Sequence, residues 1–196
     1  MSGDDKDPVP LVAVGTSLGG LEALSRLLRG LPEDFPAALA VVQHRMPDSD
    51  SRLPALLARH SRLPVREVED LEEIRPSRVY IAPADYHLLI DGDHFALDVG
   101  APESWARPAI DVLFESAADA RGSRLIAILL TAASHDGARG IAWAARSGAT
   151  TIVQDPDEAA SDIAPRAALS RTRVDYVLPL RDMPSLLIKL LLPLPA

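Results

Sequence analysis

Short apolar runs alternate along the chain with segments in which leucine recurs at helical spacing. The run Leu11-Val12-Ala13-Val14, ended by Gly15, is typical of a buried strand. Leu21, Leu24, Leu27 and Leu28 then follow at three- and four-residue steps, which indicates an amphipathic helix. The same analysis predicts strands over 11–14, 38–42, 65–68, 78–82, 125–130, 150–153 and 174–178, and helices over 21–28, 53–57, 109–120, 136–146 and 186–192.

One further pair of strands has the pattern of a β-hairpin. Residues 86–90 and 94–97 flank Asp91-Gly92-Asp93, and Asp-Gly favours the positive φ that tight hairpin turns require. Elsewhere, strands that alternate with helices predict right-handed βαβ units. The expected fold class is therefore α/β, with three layers, a mostly parallel sheet, helices on both faces and one antiparallel hairpin. Residues 1–8 are predicted to be a disordered leader, and residues 9–196 a single domain.

Composition excludes several classes of function. The chain of 196 residues has no cysteine, so it forms no disulfide and no thiolate metal site, which agrees with a cytoplasmic location. The formal net charge of −8, without a basic patch, argues against binding to nucleic acid. The longest apolar tract, 186–192, is interrupted by Lys189 and falls far short of the ~20 residues that span a bilayer, so no membrane insertion is expected.

The link between the first strand and the first helix has the pattern of a nucleophile turn. Gly15-Thr16-Ser17-Leu18-Gly19 fits G-x-S-x-G, in which a serine on a sharp strand-to-helix turn projects its hydroxyl above the sheet. A glycine loop that binds phosphate is the alternative, but both G-x-G-x-x-G and the Lys-Ser/Thr of a P-loop are absent. Ser17 is therefore the candidate nucleophile.

Two other strands end in residues that could complete a triad. His44 directly follows the strand 38–42 and Gln43, and its ordinary pKa suits a general base. Asp136 follows the strand 125–130, where it could orient the imidazole or simply cap the helix predicted to begin there. Ligands of parallel sheets bind at the carboxyl ends of the strands, which is where all three side chains are expected.

The remaining histidines and the chain order refine this hypothesis. The order Ser…His…Asp differs from the Ser…Asp…His order of α/β-hydrolases. His60, His94 and His135 are expected at the surface, and His87 is expected to be structural. No set of His, Asp and Glu has the spacing of metal ligands, so neither a metal nor a cofactor is predicted.

Taken together, these segments resemble the catalytic domain of the chemotaxis-receptor protein-glutamate methylesterases (CheB type). The resemblance extends over residues 10–192, with every motif in order. The matching segments are Gly15-Thr16-Ser17-Leu18-Gly19-Gly20, Val42-Gln43-His44, Arg107-Pro108-Ala109-Ile110-Asp111-Val112-Leu113-Phe114, Leu130-Thr131 with Asp136-Gly137-Ala138, and Pro165-Arg166-Ala167-Ala168.

The resemblance implies an activity and a set of roles. It implies hydrolysis of glutamate γ-methyl esters on methylated chemoreceptor-like proteins, and many members of the family also deamidate receptor glutamines. Ser17 matches the nucleophile of the family, His44 its base and Asp136 its orienting acid. Backbone N–H groups at Leu18 and Ala133 are expected to bind the oxyanion. Arg107 is expected to shape the substrate entrance or, equally, to be a surface salt-bridge residue.

The chain also departs from the pattern of the family. Thr131-Ala132-Ala133-Ser134 stands where a Thr-Gly-Met-Gly stretch is usual, Ala164 replaces a methionine, and Arg45 precedes Met46-Pro47. Because alanine takes positive φ less readily than glycine, the Ala133 N–H is expected to be misaligned, and glycine at 132 to raise kcat. The receiver domain that usually comes first in the family does not precede Leu11, so activity is expected without phosphorylation.

Two other functions are compatible with the same sequence. The chain could be an inactive module of a sensory complex that binds a methyltransferase or a sensory histidine kinase. It could also be a serine esterase with a small ester as its substrate. Release of methanol from a methylated receptor separates both from the methylesterase hypothesis.

Overall fold

The computed structural model describes residues 8–46 and 52–192. The predicted leader lies outside these residues except for Pro8. Nine strands are described, β1 Leu11–Thr16, β2 Ala38–Gln43, β3 Val65–Glu67, β4 Arg78–Ile81, β5 His87–Asp91, β6 His94–Asp98, β7 Leu125–Leu129, β8 Thr150–Gln154 and β9 Tyr176–Leu178. The α-helices described are α1 Gly20–Arg29, α2 Arg52–Ala58, α3 Ile110–Arg121, α4 Ala138–Arg146, α5 Ile163–Arg171 and α6 Met183–Leu191.

Seven of these strands form one parallel sheet in the order β3-β4-β2-β1-β7-β8-β9. The strands β5 and β6 pair antiparallel as a separate hairpin. The chain moves outward from β1 through β2 in one direction and through β7, β8 and β9 in the other. The strand order thus reverses beside β1, which is the position where open α/β sheets bind ligands.

Apolar side chains fill both faces of the sheet. Helices α1, α2 and α6 cover one face through Leu24, Leu57 and Leu187. Helices α3, α4 and α5, together with the hairpin, cover the other face, with Phe114 and Phe95 in its core. The central strand β1 is buried along its whole length, as expected for a parallel strand covered on both sides. The three-layer α/β fold with one antiparallel hairpin is therefore confirmed.

The structure departs from the predicted elements mainly at their ends and at one helix. Helix α4 begins at Ala138 instead of 136, β9 at Tyr176 instead of 174, and α6 at Met183 instead of 186. Helix α5 was not predicted, because Pro165 resembles a helix breaker and the buried positions of this helix are small. Pro165 is the third residue of α5, and proline is tolerated in the first turn of a helix, where no intrahelical N–H bond is lost.

Candidate active site

The register of three adjacent strands brings the predicted catalytic residues to one edge of the sheet. Thr16 at the end of β1 pairs with Gln43 at the end of β2, so Ser17 and His44 leave neighbouring strands at the same level. Strand β7 pairs with the other side of β1. The loop after β7 contains Asp136. Paired strands lie about 4.8 Å apart, so the three segments meet at the carboxyl end of the sheet.

Ser17 lies on a turn that is tightly held by its backbone. Its N–H donates to the carbonyl of Thr131 at 3.0 Å, and its carbonyl accepts from Gly20 N–H at 2.9 Å. Gly19 has φ +79°, a value that side chains other than glycine rarely adopt. Among the described residues, the Ser17 hydroxyl makes no hydrogen bond, and the side chain is half-buried at the surface. The hydroxyl is therefore open to an incoming substrate.

His44 and Asp136 form a short hydrogen bond. The Nε2 atom of His44 lies 2.7 Å from Oδ2 of Asp136, and the His44 side chain remains 15% exposed while that of Asp136 is fully buried. Because an ionised carboxylate only accepts hydrogen bonds, His44 must donate its Nε2–H to Asp136. The free nitrogen is then Nδ1, which is the atom available to accept a proton.

The Asp136 carboxylate also caps α3, and not α4, the helix that it was expected to cap. Its Oδ2 also accepts from Ile110 N–H at 2.7 Å, and its Oδ1 accepts from Asp111 N–H at 2.9 Å. Both N–H groups belong to the first turn of α3, where helices leave donors unsatisfied. The alternative that Asp136 caps its own helix is wrong, because the N-cap residue of α4 is Gly137 and the Asp136 carboxylate bonds the start of α3 instead.

Asp111, in the first turn of α3, caps α4 with its own carboxylate. Its Oδ1 accepts from Gly137 N–H at 2.9 Å and from Gly140 N–H at 2.7 Å, at the start of α4. Helices α3 and α4 are thus joined by two carboxylates, each capping the other's helix. Burial raises the pKa of Asp111 to about 6; Asp136 and Glu115 add to the rise, and Gly140 N–H and Arg139 oppose it.

We expect the buried Asp111 carboxylate to make stability depend on pH. Its pKa is about 6 in the folded protein, against an ordinary value of 3.8 in the unfolded chain. Between pH 3.8 and about 6, the Asp111 carboxyl is therefore protonated mainly in the folded state. The contribution of Asp111 to the free energy of unfolding therefore falls as pH rises through that window. Asp111→Asn keeps one oxygen for both N–H donors and cannot ionise. Denaturant unfolding at pH 4 and 7 should show the variant gaining about 1–3 kcal/mol relative to the unmodified protein. A constant difference would contradict the shift.

Gln43 fixes the backbone of both the candidate nucleophile and the candidate base. Its side-chain Nε2 donates to the carbonyl of Ser17 at 2.8 Å and to the carbonyl of His44 at 2.9 Å. A Cβ atom on Gly20 would lie 2.0 Å from Gln43 Oε1, so the close approach of this amide requires glycine there. The sequence analysis gave Gln43 no role, and its only signal is a polar residue at the end of an apolar strand.

Of the predicted oxyanion donors, Leu18 directly follows Ser17, and Ala133 lies in the loop after β7, whose Thr131 carbonyl accepts from Ser17 N–H. Among the described residues, neither the Leu18 N–H nor the Ala133 N–H has a hydrogen-bond acceptor, whereas the Ser17 N–H is occupied by Thr131. The φ of Ala132 is not positive, as expected for an alanine at this position. Its N–H and carbonyl bond Ser161 and Ala164, which hold the loop in ordinary geometry. The gain in kcat from glycine at 132 stays a prediction.

Arg107 holds a loop that lies beside the candidate active site. The guanidinium donates to Asp85 Oδ1 from Nε at 3.0 Å and from Nη2 at 2.6 Å. Its Nη1 donates to the carbonyls of Val99 and Gly100, each at 2.8 Å. With all three nitrogens occupied, Arg107 forms a salt bridge and also lines a cavity of about 480 Å³ beside His44. Both roles considered from the sequence are compatible with this position.

The other histidines lie outside this arrangement. His87 is buried, with Nε2 close to the carbonyl of Ala101 and Nδ1 accepting from Ala109 N–H, which is a structural position. His94 and His135 are exposed, and the half-buried His60 pairs with Arg29. Within 8–46 and 52–192, no three metal-binding side chains come together, and no helix is long and apolar enough to cross a membrane.

Comparison with known families and proteins gives consistent matches. The CheB methylesterase family model matches residues 12–187. A putative protein-glutamate methylesterase/protein-glutamine glutaminase of Leptospira interrogans is 38% identical over 180 residues, which cover 91% of this chain and 93% of the relative. The protein-glutamate methylesterase/protein-glutamine glutaminase 2 of Anaeromyxobacter dehalogenans is 41% identical over 176 residues, 90% of this chain and 52% of that protein.

A solved structure agrees with the fold described above. The catalytic domain of the Thermotoga maritima CheB methylesterase superposes with a TM-score of 0.90 at 35% sequence identity. The match covers 94% of this chain and 100% of that domain. The described chain thus corresponds to a whole catalytic domain of that kind.

Proposed function

Because this chain belongs to the CheB methylesterase family, we propose that it hydrolyses glutamate γ-methyl esters on chemoreceptor-like proteins with Ser17, His44 and Asp136 as its catalytic triad. The observation that supports this most directly is the 2.7 Å contact between His44 Nε2 and Asp136 Oδ2, at the strand end next to Ser17. Relatives are named protein-glutamate methylesterase/protein-glutamine glutaminase, so glutamine deamidation is proposed as a second reaction of the same site.

The first half of the reaction forms an acyl-enzyme. Ser17 Oγ attacks the ester carbonyl carbon while His44 Nδ1 takes the hydroxyl proton. The carbonyl π electrons move to oxygen, and the unpaired N–H groups of Leu18 and Ala133 bind the resulting oxyanion. Asp136 holds the imidazolium through Nε2–H and stabilises its charge. The intermediate collapses, the bond to the methoxy group breaks, and His44 gives its proton to the departing methanol.

The second half releases the carboxylate. A water molecule gives one proton to His44 Nδ1 as its oxygen attacks the acyl carbon. Collapse of this second intermediate breaks the bond to Ser17 Oγ, which takes the proton back from His44. The product is a glutamate side chain. The same two steps applied to glutamine release ammonia instead of methanol.

Methanol release from a receptor methylated with labelled methyl groups tests this function. We expect labelled methanol to appear catalytically with the receptor and glutamate to replace the methyl ester. The control is a γ-methyl ester of a blocked free glutamate, which offers the same bond without a protein. Hydrolysis of the small ester but not of the receptor would favour a general esterase. Binding to the receptor without hydrolysis of either would favour an inactive module.

A further inference from the structure

A strained two-residue turn places a tryptophan at the edge of the candidate active site. Glu103 and Ala106 exchange hydrogen bonds, with N···O distances of 3.1 and 2.9 Å, and Ser104 and Trp105 form the turn between them. The φ of Ser104 is +52° and that of Trp105 is +65°. Such turns favour Asn, Asp and Gly at both positions, and a bulky residue with positive φ costs roughly 1–3 kcal/mol. A tryptophan here opposes the local preference.

Ion pairs on both sides fix this turn in place. The Glu103 carboxylate accepts from Arg139 Nη2 at 2.5 Å, which ties the turn to α4. On the other side, Arg107 binds Asp85 and the two carbonyls before the turn. The position of Trp105 is therefore set by the surrounding structure rather than by its own backbone preference.

The Trp105 side chain is fully exposed and lines the same cavity as the candidate catalytic base. It is 101% exposed, which is unusual for so large an apolar side chain. His44 and Trp105 line the same cavity of about 480 Å³, together with Met46, Pro102, Ala106 and Pro108. The charged groups at this cavity are already paired, Asp85 with Arg107 and Arg45 with Glu67. What the cavity offers a ligand is therefore mainly apolar surface.

We propose that Trp105 is a docking residue that packs on an apolar side chain of the substrate protein, next to the glutamyl ester held at Ser17. This inference rests on the proposed function, because the occupant of the cavity is the chain that presents the ester. His44 lines this cavity, so a protein segment that presents its ester to the candidate triad lies next to it. Docking would remove the exposed indole from water, and buried tryptophans contribute strongly to interfaces. A small ester brings no neighbouring protein side chain for the indole to pack on.

Trp105→Gly is the variant that tests this role. Glycine relieves the positive φ, so the turn and the free energy of unfolding should be retained while the indole is lost. We expect KM for the methylated receptor to rise roughly 10- to 100-fold, with kcat changed less than about twofold. Hydrolysis of the γ-methyl ester of blocked glutamate should be unchanged. Trp105→Tyr should restore most of the affinity, because an aromatic side chain again covers the partner.

Trp143→Ala is the matched control, because Trp143 is an exposed tryptophan on α4 that does not line the cavity. This variant should keep the KM of the unmodified protein for both substrates. An unchanged receptor KM in Trp105→Gly, or an equal loss with the small ester, would overturn the docking role. Failure of the unmodified protein to release methanol from the receptor would instead overturn the proposed function, and the docking role with it.

Discussion

Replacing Ser17 with alanine is expected to abolish turnover and leave the fold intact. The hydroxyl bonds no described residue, so its removal leaves no buried donor or acceptor unsatisfied. Loss of the nucleophile from such a unit lowers kcat by about 10⁶-fold in the best-studied serine hydrolase. Methanol release measured beside denaturant unfolding should show an inactive protein with nearly unchanged stability. A folded Ser17→Ala protein that kept substantial activity would rule out Ser17 as the nucleophile.

The same experiment on His44 shows whether the two residues act together. His44→Ala removes the base, yet Asp136 keeps its two bonds from the start of α3, so the fold should persist. Because nucleophile and base act in one step, the double variant should be no slower than either single variant. Additive losses would mean that the two side chains act in separate steps.

The positions of the candidate catalytic residues at the strand ends could be predicted from the sequence, because apolar runs mark buried strands. Ser17, His44 and Asp136 each follow a run of buried apolar residues, and the parallel order of such runs places their ends together. The predicted fold was confirmed for the same reason. The sequence analysis did not predict hydrogen bonds between a side chain and backbone groups that are distant in the sequence. Nothing in the spacing of Asp136 shows that it caps α3, 26 residues earlier, or that Asp111 caps α4 in return.

The loop conformations could not be predicted because tertiary contacts decide them. Ala132 bonds Ser161 and Ala164 through its backbone, and its position in the sequence does not show these contacts. Ser104 and Trp105 do adopt positive φ, and no residue in Glu103-Ser104-Trp105-Ala106 belongs to the Asn-Gly type that signals such turns. Local preference was misleading for the turn at Ser104 and Trp105.

Replacing Asp136 with asparagine is expected to damage catalysis far more than stability, and the bonds of its carboxylate predict a smaller loss of stability as well. Both carboxylate oxygens accept a backbone N–H, so the amide NH2 faces a donor in either orientation. One such unsatisfied pair costs about 1–3 kcal/mol of stability. The loss in kcat should be larger, because a neutral amide no longer stabilises the His44 imidazolium. In serine proteases the same change in the triad aspartate lowers kcat roughly 10⁴-fold, or about 5.4 kcal/mol.

Asp111→Asn is the control that separates the two roles of Asp136. Asp111 caps a helix with a buried carboxylate, as Asp136 does, but its carboxylate accepts from Gly137 and Gly140 and not from His44. If Asp136 only anchors α3, the two asparagine variants should lower kcat by similar small factors. If Asp136 orients His44, Asp136→Asn should lose about 10⁴-fold and Asp111→Asn less than about 10-fold. The measurement is kcat for methanol release at a pH above the titration of Asp111, with the unfolding free energy of each variant determined alongside. A loss of the same size in both variants would show that the link between α3 and α4, and not the tautomer of His44, is what the Asp136 carboxylate controls.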